Sequence, residues 1–285
     1  MDKYIIKKIL SNNVILVEKN QKNYVFVGKG IGFGKKKGDL LEELKEIEQK
    51  FISLEGLNHH EYESFFETVD PKIIELCKKI NEMVTRELDE DMSSKMNIGL
   101  IDHVNFAIKR LKEGIEIVNP FLYETKLLYP VEFKLAEKAV AILMENLKME
   151  IPDTEIGFLA LHFYGGRGNN DKIKALKHSM TISKVHSYIE KKLAVNFDRD
   201  SFDYKRLIMH LRGVISRVEK NQYIKSTFVS KLKNELAVEF KVAYDISKIM
   251  ERTLELSIPE NEVSYIALHV HKLINKKNRT DCLEN

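Results

Sequence analysis

Residues 131–164, VEFKLAEKAVAILMENLKMEIPDTEIGFLALHFY, and residues 238–271, VEFKVAYDISKIMERTLELSIPENEVSYIALHVH, are identical at 13 of 34 positions without a gap. Two such stretches in a chain of 285 residues mark an internal duplication. Their offset of 107 residues is the length of a domain, not of a solenoid unit. The same offset holds upstream, where His103 matches His210, Ile108 matches Ile215 and Arg110 matches Arg217. Four histidines therefore fall into two pairs, His103 with His162 and His210 with His269, each separated by 59 residues. From Asp70 onward Gly and Pro are sparse and apolar residues recur three and four apart, as in Ile74, Cys77, Ile80, Met83 and Val84. That is helical spacing. Asp70-Pro71, Pro152-Asp153 and Pro259-Glu260 read as helix starts, with Pro in the first helical position and acidic residues at the positive end of the dipole. Two homologous all-α bundles are expected, at 68–172 and 173–280.

The first 58 residues have a different grammar. YIIKKIL (4–10), VILVEK (14–19) and YVFVGK (24–29) are short, rich in β-branched and aromatic residues, and separated by the turn-formers SNN and NQKN. A basic, glycine-punctuated segment, GKGIGFGKKKGD (28–39), follows. The stretch LLEELKEIEQKFISL after it is read as supplying a fourth strand at its end. The expected fold class is therefore α+β and multidomain: a small N-terminal antiparallel β-sheet domain (1–58), then the two helical bundles. So small a sheet has little core of its own, and dimerisation through one face is a way to bury it. Residues 55–69 lack a period and read as a linker.

Charge separates the same two parts. Residues 1–39 hold nine lysines against Asp2, Glu18 and Asp39, a balance of +6, so the rest of this +3 chain carries −3. A basic end on a mildly acidic body suits one end that meets a polyanion, although a solvated lysine face is the plainer reading. No apolar run reaches the ~20 residues that span a bilayer, and MDKYIIKKILSNN lacks the apolar core of a signal peptide. A cytoplasmic protein is expected. Cys77 and Cys282 form no CxxC pair, so neither a disulfide framework nor a thiolate metal site is suggested, and no cofactor or metal is expected.

The repeated histidines carry the candidate chemistry. Glu155 and His162 lie seven apart on one helix face beside the apolar stripe Ile156, Leu159, Ala160 and Phe163, and Glu262 and His269 preserve the arrangement. A histidine beside an apolar face is commonly a hydrogen-bonded core residue, but four matched ones invite a function. Imidazole can bind zinc, although neither repeat offers four ligands, or it can take up and release a phosphoryl group near neutral pH. A phosphoryl group adds roughly two negative charges, enough to build or break a contact between domains. The N-terminal part offers no catalytic constellation. GKGIGFGKKKG lacks the GK[ST] ending of a P-loop, and Phe33 stands where a dinucleotide fingerprint needs its third glycine. What remains is lysine for phosphates, Asn for base edges or 2′-hydroxyls, and Phe33, either stacked on an unpaired base or buried as a loop anchor.

ILSNNVILV (9–17) and VGKGIGFGKKKGD (27–39) resemble the co-antiterminator RNA-binding domain of the BglG/SacY/LicT family of transcriptional antiterminators. LIDHVNFAIKR (100–110), GFLALHFY (157–164), HLRGVISRVEK (210–220) and SYIALHVHK (264–272) resemble that family's two phosphotransferase system (PTS) regulation domains. The resemblance covers nearly the whole chain. It implies a dimeric, non-enzymatic regulator that holds an internally looped RNA hairpin in a nascent leader mRNA and so prevents an overlapping terminator from forming. It places RNA contacts on Ser11, Asn12, Asn13, Gly28, Lys29 and Phe33, with Lys8 a further candidate, and phosphorylation on His103, His162, His210 and His269. HPr and a sugar-specific PTS permease are the implied phosphoryl donors, with modification of the first regulatory domain inhibiting and of the second activating.

Two departures stand out. Lys29 sits where relatives commonly carry Arg, which removes a planar forked contact. Asp102 precedes His103 whereas Met209 precedes His210, so an orienting carboxylate next to the first histidine has no counterpart in the second repeat. Arg110 and Arg217 are candidate phosphate partners or bundle braces, and His271 is a nearby imidazole beside His269. A DNA-binding activator with the same phosphorylatable domains is the alternative, and it would need a helix-turn-helix that the N-terminus does not suggest. A histidine-dependent phosphotransferase is a third reading, and would pass its phosphate on to a substrate.

Overall fold

The computed structural model describes residues 4–12, 14–19, 22–28, 30–41, 49–52, 69–90, 94–168, 170–194, 196, 198–222 and 229–281. The expected linker at 55–68, together with Asn13, Lys29 and Cys282, lies outside the described residues.

The N-terminal strands form one antiparallel sheet: β1 (Tyr4–Ser11), β2 (Val14–Lys19), β3 (Lys22–Val27), β4 (Leu40–Leu41) and β5 (Gln49–Ile52), in the order β4-β1-β2-β3-β5. The fourth strand read from the sequence is β5. β4, two residues long, is too short to give a periodic signal. Between β2 and β3 the register is regular, from Val14 opposite Val27 to Lys19 opposite Lys22. Alternation then puts Ile15 and Val17 on the same face as Phe26 and Tyr24, where they join Tyr4, Ile6, Ile31 and Leu41 in one buried cluster. The Tyr4 ring meets Phe26 edge-on at 4.8 Å and Tyr24 at 5.4 Å, cross-strand aromatic packing that fixes which face is inside. Between β1 and β2 the register slips at Ile6/Lys8 and again at Ile9/Ser11, and such irregularities bend and twist a strand toward its turn.

The helices among the described residues are α1 (Pro71–Leu88), α2 (Ser94–Lys112), α3 (Leu122–Leu128), α4 (Pro130–Leu147), α5 (Thr154–Gly166), α6 (Lys172–Leu193), α7 (Phe202–Glu219), α8 (Val229–Glu235), α9 (Ala237–Leu254) and α10 (Glu260–Asp281). Asp70 caps α1 as its sequence suggests, its carboxylate accepting from Lys72 N at 2.9 Å with Pro71 in the first turn. At the other two expected starts the helix begins later relative to the proline. Pro152 and Pro259 stay outside, and their carbonyls accept from Glu155 N (3.0 Å) and Glu262 N (2.9 Å). Cys77 is buried within α1, and burial pushes its thiol pKa up.

The chain divides into two compact units, residues 1–119 with 131–172, and residues 120–130 with 173–285. The first holds the sheet with α1, α2, α4 and α5, and the second holds α3 with α6 to α10. Helix α3, which in sequence belongs to the first repeat, thus packs in the second unit. There Glu124 is wholly buried and accepts from Tyr204 Oη (3.2 Å), Thr125 Oγ1 donates to Ser179 Oγ (3.1 Å), and Tyr129 Oη lies 3.3 Å from His178 Nδ1. No described helix is long and apolar enough to cross a membrane.

Candidate functional site

The β1–β2 turn and the glycine-rich loop after β3 are joined by a backbone hydrogen bond from Gly32 N to Asn12 O, 2.9 Å. Asn12 of the SNN motif and Gly32 of the GKGIGFG motif therefore lie side by side. The loop folds tightly because Ile31 N donates to Gly28 O (3.3 Å) and Phe33 N to Gly30 O (2.9 Å), with Gly30 and Gly34 at φ +71° and +70°, where a side chain would be strained. Ile31 is wholly buried in the sheet core, whereas Phe33 is 75% exposed. The anchor of this loop is thus Ile31, a residue the sequence reading passed over, and Phe33 is left with its ring in solvent. Asn12, Lys8, Lys35, Lys36 and Lys37 are exposed as well, and Gly28 is buried. Lys36 N donates to Asp39 Oδ2 (2.7 Å), closing the turn that carries the three consecutive lysines. An exposed aromatic on a rigid glycine-shaped loop, flanked by lysines, can stack on an unpaired base while neutralising phosphates.

In the first unit α2 and α5 bring His103 and His162 together, with ring centroids 4.9 Å apart. Glu155, buried on α5, accepts from His103 Nε2 at 2.7 Å. The orienting carboxylate is thus Glu155 and not Asp102, whose side chain is exposed. On the other side, Lys172 Nζ lies 3.2 Å from His162 Nε2. An ammonium can only donate, so Nε2 is the acceptor and the His162 proton belongs on Nδ1. Burial, with His103 and Lys172 as neighbours, holds His162 well below the usual histidine range.

The second unit repeats the histidines but not their partners. On α7 and α10, His210 and His269 stack almost in parallel, with centroids 3.6 Å apart and planes 19° from each other. Tyr265 Oη lies 3.0 Å from His210 Nδ1, and its ring stands edge-on to both imidazoles. Phe158, the counterpart of Tyr265, packs 5.9 Å from His103 with no hydroxyl to offer. Glu262, the counterpart of Glu155, is wholly buried and forms a forked pair with Arg217, at 2.9 Å to Nε and 2.7 Å to Nη2. Arg217 is therefore a brace. Its counterpart Arg110 instead donates to the Glu116 carbonyl (3.2 Å) and lies over the Phe106 ring. His271 is held by Glu239 at 2.9 Å and is thereby set apart from His269.

Burial lowers the His269 pKa to about 4, assisted by His210, Lys272 and Arg206, and lowers that of His210 for the same first reason. A depressed histidine pKa means that the unfolded chain binds more protons than the folded one between pH ~4 and ~6.5. The second unit should accordingly lose stability as pH falls through 6.5 and lose no more from His269 below about 4. Denaturant melts of the parent and of His269→Gln between pH 7.5 and 4.5 check this. The parent is expected to lose more than the variant, and parallel curves would refute the assignment.

The family profile of the CAT RNA binding domain matches residues 4–56, and that of the PRD domain matches twice, at 78–166 and 183–273. A protein named GlcT from Staphylococcus saprophyticus is 34% identical over 277 residues, covering 95% of this chain and 97% of its own. Its namesake from Staphylococcus aureus is 32% identical over 289 residues, covering 98% and 100%. The chain belongs to the BglG/SacY/LicT family of antiterminators. A solved structure described as GlcT CAT-PRDI, 32% identical, aligns with 59% of this chain and 99% of its own at a TM-score of 0.50. This antiterminator is therefore an RNA-binding regulator of transcription, controlled by the PTS through its two PRD domains. An RNA-binding domain occupies the end where the alternative reading needed a helix-turn-helix.

Proposed function

We propose that this antiterminator binds, as a homodimer, an internally looped hairpin in a nascent leader mRNA, with RNA contacts from Ser11, Asn12, Asn13, Gly28, Lys29 and Phe33. Lys8 and the lysines at 35–37 add positive charge around these residues. The functional modules are residues 1–58 for RNA, 68–172 for the first regulatory domain and 173–280 for the second. His103, His162, His210 and His269 accept phosphoryl groups from HPr and a sugar-specific PTS permease in the cytoplasm. The chain keeps this phosphate as a signal and passes it to no substrate, so it is a regulator and not an enzyme. The observation that carries the RNA assignment is the Gly32–Asn12 hydrogen bond, which unites two separate motifs beneath an exposed Phe33.

Gel-shift titration of the full chain against its own labelled leader hairpin tests the reading, with a hairpin lacking internal loops as control. Binding confined to the looped hairpin is expected. Phe33→Ala should weaken it by about 1–3 kcal/mol, the usual worth of one stacked base. The parent failing to bind the leader hairpin would overturn the proposed function, and unchanged affinity in a folded Phe33→Ala would remove the ring from the interface.

A further inference from the structure

The two histidine pairs differ at the positions that surround them. One turn before His210 on α7 stands Arg206, and three residues after His269 on α10 stands Lys272, so helical spacing sets each beside its histidine. Both cations lie within electrostatic reach of both imidazoles. The Arg206 guanidinium is half-buried, held loosely by Asp203 at 3.4 Å and lying over the Phe202 ring, while Lys272 is exposed. At the offset of the duplication their counterparts in the first repeat are Gly99 and Gly165. Neither glycine has a side chain, and at Gly165 even a Cβ would come within 2.8 Å of Lys172 N. The first pair faces the Glu155 carboxylate on one side and Lys172 on the other, whereas in the second repeat Glu262 is neutralised by Arg217.

We propose that Arg206 and Lys272 are the positioning residues that receive the phosphoryl group at the His210–His269 pair, and that the first pair, with Glu155 on His103 and Lys172 as the cation on His162, receives it less readily. The inference rests on the phosphorylation reading given above. In the step itself, the lone pair of an imidazole nitrogen attacks phosphorus, the N–P bond forms, and the bond from phosphorus to the donor nitrogen breaks as that nitrogen takes a proton. The product is a phosphoryl dianion beside a stacked pair of rings. Arg206, released from its loose contact with Asp203, can meet it with a planar fork and Lys272 with a point charge. At His103 the incoming oxygens meet Glu155 at hydrogen-bond distance from the ring, so the like charge must be displaced before the group can settle. The two repeats thus differ in how readily they take the same modification.

Incubation of the full chain with potassium phosphoramidate, followed by site-resolved mass spectrometry of phosphohistidine, tests this without any protein donor. The second pair should label faster than the first. Arg206→Gln with Lys272→Gln should reduce labelling at His210 and His269 about tenfold and leave His103 and His162 unchanged, since charge-assisted contacts are lost. Arg206→Lys with Lys272→Arg should restore it, which a merely structural role would not predict. Second-pair labelling unchanged in the double Gln variant, or equal loss at both pairs, would overturn the proposal and leave phosphorylation itself standing. No phosphoryl group on any of the four histidines of the parent would refute the phosphorylation reading, and the proposal with it.

Discussion

Alanine at both His103 and His162 is expected to give antitermination without inducer, while alanine at both His210 and His269 is expected to weaken it below the parent's induced level. The direction follows from the opposite effects of the two regulatory domains that the family resemblance implies, and the size from the charge involved. A phosphoryl group brings roughly two negative charges to a site, and that charge must find cations or drive elements apart. On His103 it would arrive beside a buried Glu155, where it is disruptive. In the second unit it would arrive beside Arg206 and Lys272, where it can be bound. A reporter placed behind the leader, read with and without inducer, gives the outcome. Changes of tenfold or more are expected in the first double variant without inducer. If both double variants follow the parent at equal protein levels, the histidines are structural.

Arg217→Ala is expected to be the most destabilising single surface-reaching change in the second unit, at about 3 kcal/mol. It removes the two guanidinium hydrogen bonds, one to each carboxylate oxygen, that hold the wholly buried Glu262. The matching transition in scanning calorimetry of the full chain should fall by roughly 10 °C. Arg110→Ala should cost about 0.5 kcal/mol or less, since Arg110 reaches a carbonyl in solvent instead of a buried charge. Combining Arg217→Met with Glu262→Leu should recover most of the loss, as apolar replacements of a buried pair do. A single Arg217→Ala that melts like the parent would show that Glu262 finds another partner.

Particular residues show how far the sequence could be read. The duplication gave the pairing of the histidines and the helices that carry them, because a repeated pattern of apolar spacing survives substitution at more than half of its positions. It also invited the assumption that equivalent residues have equivalent partners. Glu155 and Glu262 are aligned, yet one holds a histidine and the other an arginine. That choice is made by whether Arg110 or Arg217 turns inward, a rotamer decision outside any one-dimensional pattern. Adjacency in sequence misled at Asp102, because neighbours on a helix point about 100° apart and only one of them can face the bundle. In the loop after β3, Ile31 and Phe33 are both large and apolar, and nothing in their spacing tells which is tucked into the sheet. The contrast of Arg206 and Lys272 with Gly99 and Gly165 was already written in the alignment, but it acquired meaning only when the stacked imidazoles showed what those positions surround.

Helix α3 separates two ways of cutting this molecule. By descent it belongs to the first repeat, and by packing it belongs to the second unit, through Glu124, Thr125 and Tyr129. Anyone building chimaeras from such regulators will be tempted to join parents at the seam of the duplication, near residue 172. That splice would take Tyr204 and Ser179 from one parent while leaving their partners on the other, stranding a buried glutamate without its hydroxyl. Modules of this protein are better exchanged with residues 120–130 travelling alongside the second repeat, since ancestry and architecture draw their borders one helix apart.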